Sequence, residues 1–202
     1  MKRKIGMFFM VLGLLLMMGS AFLLWYNHSQ ATAAEQASAQ LMPQIAQQIE
    51  NNIQAEIQET VSVESFLDVT MAEAEIDGRM YIGYLSIPGL GLELPVMSGW
   101  DYPSLQIAPC RYSGTVKGND LVLMAHNYEK HFGKIDQLNM EDMVLFTDIE
   151  GVTTRYAVAA VDVLAPSSVE EMTSGAFDLT LFTCTYGGKS RVTVYCDRIR
   201  DN

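Results

Sequence analysis

The sequence predicts a mainly β domain, closed or nearly closed into a barrel with short helices, behind an N-terminal helical region. Two observations carry this prediction. From Ile76 onward, short alternating or β-branched runs are divided by Gly, Pro, Asn and Asp, which is the texture of strands and turns. Ahead of Ile76 lie a long uncharged apolar run and then a stretch rich in Ala, Gln and Glu. Strands are expected at 81–87, 93–97, 121–125, 143–147, 154–164, 179–184 and 191–198, with helical turns at 102–107, 132–138 and 168–172. Seven or eight short strands in one such region fit a barrel better than a βαβ array.

The first element is IGMFFMVLGLLLMMGSAFLLWY, residues 5–26. No charge interrupts it, Lys2, Arg3 and Lys4 precede it, and Trp25 and Tyr26 close it. A spanning helix needs roughly 20 apolar residues, whereas a cleavable signal core has roughly 7–15. The run therefore reads as an uncleaved transmembrane anchor. Basic residues ahead of it and aromatic residues after it predict an N-in, C-out, single-pass orientation. ATA at 31–33 and ASA at 37–39 resemble cleavage sites, so a cleaved signal is the rival reading. The chain divides into a cytoplasmic N-terminus (1–4), the anchor (5–26), a helical linker (27–75) and a catalytic-sized domain (76–202).

Within the linker, Leu41, Ile45, Ile49, Ile53, Ile57 and Val61 recur every fourth position, which is helical spacing. Pro43 suits a first helical turn and not an interior. A helix over 43–61 is expected, serving as a stalk or docking on the domain that follows. A step of four drifts by ~40° per repeat, so the stripe winds around the helix.

The chain has 13 basic and 24 acidic residues; removing the three N-terminal cations leaves 10 against 24, net −14. Nucleic-acid binding needs a basic face and is excluded on this balance. The three cysteines, Cys110, Cys184 and Cys196, leave at least one thiol unpaired within the chain. A Cys110–Cys196 disulfide is a pairing the sequence leaves open. No Cys/His spacing indicates zinc.

Three residues stand at expected strand ends. Cys184 closes DLTLFTC, where alternation puts Leu179, Leu181 and Thr183 on one face and Phe182 and Cys184 on the other. A thiol there is rigidly held and accessible, and its thiolate is the nucleophile. His126 closes NDLVLMAH and can serve as general acid and then base. His131 lies five residues on, in an expected turn, and His28 sits beside the apolar run. Arg191 opens the last strand after TYGGKS, and the Gly187-Gly188 turn returns it toward Cys184. Its fixed charge and fork of donors suit an oxyanion. The plainer readings are a core cysteine, a solvated histidine and a solvated strand arginine. Lys189 reads as solvated.

T-L-x-T-C at 180–184, the arginine opening the next strand and the histidine closing an earlier one resemble the sortases, membrane-anchored cysteine transpeptidases of Gram-positive bacteria. The resemblance covers about 81–199, including YIGYLSIPGLGLELPV, which is similar to the family's opening strands. It implies an eight-stranded sortase barrel. It also implies that Cys184 attacks the Thr–Gly bond of an LPxTG-like signal on surface proteins or pilins, forming a thioester. His126 would protonate the leaving amine and deprotonate the incoming one, a peptidoglycan precursor or pilin lysine. Arg191 would hold substrate and oxyanion, and Thr183 would line the site. No metal or organic cofactor is implied.

Pilin-polymerising members usually carry a D-P-aromatic lid and a second anchor; WDYP here follows the second strand, and no second anchor is found. Only APSSVEEMTSGAF fills the place of the long helix usual in class B. The pattern resembles a class D-like enzyme with a class B flavour. Glu170 and Glu171 fall where some relatives bind calcium, and read as solvated acids. The alternatives are an anchored cysteine peptidase that mainly hydrolyses, and a non-catalytic extracellular β-domain.

Overall fold

The computed structural model describes residues 2–58 and 70–200. One helix, α1 (Lys2–Gln58), runs through what the sequence divides into anchor and linker. Pro43 lies inside α1, not in its first turn. An interior proline removes one backbone bond and costs ~3 kcal/mol. Burial on both sides offsets that cost: Leu41, Ile45 and Ile49 are buried while Pro43 faces solvent. The expected helix end at 61 lies outside the described residues.

The apolar stripe docks on the domain. Leu41, Ile45 and Ile49 share a cluster with Ala74, Ile76, Tyr81, Met97, Leu105, Ala108, Cys110 and Ile149. The drift of the four-residue step is absorbed upstream, where Ala34 and Ser38 are buried and a three-residue step leads to Leu41. Ser38 Oγ donates to the Ile107 carbonyl at 3.2 Å. Asn52 Nδ2 donates to the Ile149 carbonyl at 2.9 Å. By contrast the described apolar side chains between Met7 and Tyr26 are exposed, and α1 is long and apolar enough to cross a membrane.

The domain is a closed barrel. Its strands are β1 (Ala74–Ile76), β2 (Arg79–Ile87), β3 (Leu92–Met97), β4 (Cys110–Ser113), β5 (Leu121–Ala125), β6 (Met143–Asp148), β7 (Thr153–Leu164), β8 (Leu179–Cys184) and β9 (Arg191–Arg198). They run in the order β1-β2-β3-β4-β5-β8-β9-β7-β6, and β6 pairs back onto β2. Eight strands thus close the barrel, and three-residue β1 extends the β2 edge. The sequence reading missed β1 and β4, which are too short to show alternation.

Closure depends on Gly83. Its φ is +143°, and a Cβ there would stand 2.0 Å from the Thr147 carbonyl oxygen across the β2–β6 seam. The barrel interior is filled by Ile82, Leu85, Leu123, Phe146, Tyr156, Leu181 and Val194, among others. The expected helical turns are α2 (Tyr102–Leu105), a 3₁₀ turn at Ile135–Gln137, and α3 (Val169–Met172). Asp101 caps α2, accepting from the Ser104 N–H at 2.6 Å.

Candidate active site

β5 and β8 lie side by side in parallel, with Ala125 in register with Thr183. One step further, His126 and Cys184 leave adjacent strand ends together. β9 then pairs antiparallel with β8, and Cys184 stands directly opposite Arg191. Facing is settled by alternation. Leu121, Leu123, Ala125, Leu179 and Leu181 point into the barrel. Val122 and Phe182 belong to a separate outer cluster with Met172 of α3. His126 and Cys184 share the parity of that outer set, and Arg191 shares the face of its partner Cys184. All three candidate residues therefore meet on one outer face at one rim.

Thr183 points the other way. It is buried, and its Oγ1 donates to the Ala125 carbonyl at 2.8 Å. Its contribution is to fasten the Cys184 strand to the His126 strand from beneath, which differs from the expected place in the site lining.

Cys184 is half-buried, whereas Cys110 and Cys196 are buried, and all three thiols are free. The Cys110–Cys196 pairing is thereby corrected. Cys110 faces the cluster beneath α1 and Cys196 the barrel interior, so a wall of the barrel separates them. Burial pushes the thiols of Cys110 and Cys196 up to about 12, which keeps both protonated and inert. Burial lowers the pKa of His126, favouring the neutral imidazole. The Arg191 guanidinium is held by its own hairpin, with Nη1 donating to the carbonyls of Gly188 at 3.2 Å and Ser190 at 3.1 Å. Gly187 and Gly188 both adopt positive φ in that turn.

Three features of the site are not legible in the sequence. The Tyr128 ring packs on His126 with centroids 4.9 Å apart, and on His131 at 5.5 Å. His131 is fully buried, with neither ring nitrogen in hydrogen-bond geometry. Burial, then the neighbouring His126, push its pKa down to about 4, against a weaker opposing pull from the Ile107 and Ala34 carbonyls. An aromatic row also extends from the outer face: Phe182 meets Tyr112 edge-on at 5.4 Å, and Tyr112 stacks on Trp100 at 5.9 Å. A motif reading could have found Trp100 only through WDYP, since no spacing links it to Cys184.

A polar cleft of about 380 Å³ lined by Arg155, Arg198 and Arg200 lies at the far end of β9 from Arg191, and holds neither thiol nor imidazole. Among the described residues, no three His, Cys, Asp or Glu side chains converge to hold a metal ion. Glu170 and Glu171 sit in the first turn of α3.

The family model described as "Sortase domain" matches residues 85–199, more than half of the chain. The chain belongs to the sortase family. Sortase A of Bacillus anthracis is 32% identical over 124 residues, 56% of this chain and 57% of that protein. This sortase thus matches a little over half the length of that relative. Sortase C1 of Streptococcus suis is 29% identical with a TM-score of 0.53, covering 60% of this chain and 74% of that one. Sortase A of Corynebacterium diphtheriae is 19% identical with a TM-score of 0.56, covering 88% and 95%, a likeness of fold alone.

Proposed function

We propose that this sortase is a cysteine transpeptidase that joins surface proteins to an amine, with Cys184 as nucleophile, His126 as acid and base, and Arg191 as oxyanion donor. The observation that carries this reading is the register: Ala125 opposite Thr183 and Cys184 opposite Arg191. It gathers a thiol, an imidazole and a guanidinium on one face.

The chemistry follows from those groups. Neutral His126 takes the Cys184 proton as sulfur attacks the carbonyl carbon of Thr in an LPxTG-like signal. The carbonyl oxygen becomes an oxyanion, and the Arg191 donors, turned from the hairpin carbonyls, stabilise it. The C–N bond to Gly breaks, and His126 delivers its proton to the leaving amine. A thioester remains. An incoming amine, from a cell-wall peptide or a pilin lysine, attacks the thioester carbonyl. His126 accepts the amine's proton and returns it to the departing sulfur. Every proton and bond is accounted for without a cofactor.

Residues 5–26 serve in this reading as an uncleaved anchor, N-in and C-out, with the domain outside the cell. Both small-residue triplets lie within helical α1, and Ser38 of the second is buried against the domain. Proteolytic cleavage there would require unwinding and undocking the helix.

The test uses the full chain in detergent micelles with an LPxTG-type peptide and triglycine, products followed by mass spectrometry. A product joined at Thr to triglycine, lost in Cys184→Ala, is expected. Cleavage without joining across several acceptors would replace the transferase reading with a hydrolase. Undiminished turnover by Cys184→Ala would remove Cys184 from the mechanism.

A further inference from the structure

Between the apolar run and the domain there is no spacer. Tyr26 ends the exposed apolar surface, Ser29 and Gln30 are already half-buried, and Ala34 is buried. At 1.5 Å rise per residue, Tyr26 and Ala34 are only about 12 Å apart along α1. The helix then continues down the domain. Glu35 pairs with Lys130 at 3.4 Å, Ser38 meets Ile107, Ile45 fills the interface, and Ile53 packs on Gly151. From Ala34 to Ile53 this is about 28 Å.

The end of α1 that meets the apolar run is also the end that meets the catalytic rim. Lys130 and His131 follow His126 by four and five residues. Tyr128, packed against His126 with the rings tilted, is raised in pKa chiefly by burial and also by Tyr26. His28 likewise acts on Glu129, beside the larger influence of Lys134. Through the Lys130–Glu35 pair, loop 126–134 sits beside the start of the docked part of α1, about 10 Å along the helix from His28 and the segment that marks the membrane–water boundary. Its charges are Glu129, Lys130 and Lys134; Lys134 pairs with Glu129 and Lys130 with Glu35 of α1, so the patch is close to neutral in a chain whose net is −11. Such a loop tolerates a layer of anionic headgroups, which the rest of the acidic domain would oppose.

Resting on the anchor and activity proposed above, we propose that α1 is a rigid mast holding the catalytic rim face-down at the outer surface of the bilayer, with loop 126–134 against the lipid headgroups. Pro43 lies beyond the rim and cannot act as a hinge between rim and bilayer. The active site then works at a fixed, low height. It processes a peptide tethered in the same leaflet far better than a peptide segment held several nanometres above it.

Two measurements test this, and the first is independent of activity. The full chain is reconstituted into phosphatidylglycerol-containing liposomes with an acceptor dye on the headgroups. A donor dye is placed on Cys184, or on Arg155→Cys in a Cys184→Ala protein. Energy transfer from the Cys184 position is expected to exceed that from position 155. Equal transfer, or the reverse order, overturns the proposal whether or not the chain is a transpeptidase.

The second inserts 18 helix-forming residues of EAAAK type between His28 and Ser29. Five full turns preserve the docking face and lift the domain by about 27 Å. Turnover of an LPxTG-type peptide fused to a transmembrane helix is expected to fall at least about tenfold, because the rigid spacer removes its effective concentration. Turnover of the same peptide free in solution stays unchanged, and a Gly/Ser insert of equal length restores the tethered reaction. Unaltered tethered turnover with the rigid insert overturns the proposal. Absent turnover of free peptide by the unmodified chain counts against the activity reading, and the energy-transfer order still decides the geometry.

Discussion

Replacing His131 with Met removes a buried base whose protonation opposes folding. In the native chain, burial and then the neighbouring His126 hold His131 at about 4, against a weaker opposing pull from the Ile107 and Ala34 carbonyls. An unfolded histidine titrates near ~6.5. Between these values the unfolded state binds more protons than the native state, so stability rises with pH and is lost as pH falls. At pH ~5 the unfolded side chain is almost fully charged and His131 is about one-tenth charged, a difference of about 2 kcal/mol. Below pH ~4 the loss levels off near 3 kcal/mol. The assay is urea denaturation at pH 7, 6 and 5 of the native and His131→Met chains, each retaining the docked part of α1. Carboxylates titrate alike in both and cancel. The native chain is expected to lose about 2 kcal/mol more than the variant between pH 7 and 5. Parallel pH profiles would refute the claim that His131 is held neutral by burial.

Three further outcomes follow from the packing. Ile45→Ala, at a site of 0% exposure in the α1 interface, should cost about 2–5 kcal/mol in thermal or chemical unfolding. A smaller loss would mean that α1 contributes little to the domain. Gly83→Ala should destabilise by more than ~3 kcal/mol, since its φ and the Thr147 carbonyl leave a Cβ no room; a near-native melting temperature would show that the β2–β6 seam yields. In thiol titration, the folded chain should expose one fast-reacting cysteine, Cys184, and the denatured, unreduced chain all three. A single reactive thiol after denaturation would restore the Cys110–Cys196 disulfide.

Much of the site was legible because its information is local. A strand's two-residue period fixes which face Cys184 takes, and the Gly187-Gly188 turn fixes its return to Arg191, both within a dozen residues of chain. The apolar stripe through Ile45 likewise announces a helix face to be covered. What covers it is not local. That α1 continues unbroken through Pro43 depends on burial energy supplied by residues at 74–110 and Ile149, which no helix propensity contains. Strands β1 and β4 exist because neighbours pair with them, not because their few residues prefer extension. The approach of His126 to Cys184 rests on parallel pairing of strands more than fifty residues apart, and His131 is buried where Ala34 of α1, Ile107 and Tyr128 come against it. The sequence by itself determined the anchor-like run, the β texture, the thiol, the imidazole and the guanidinium, since these reside in composition and short-range period. The tertiary structure alone decided barrel closure, the meeting of the three groups on one rim and the seat of the helix, because each arises from contacts between segments remote in the chain.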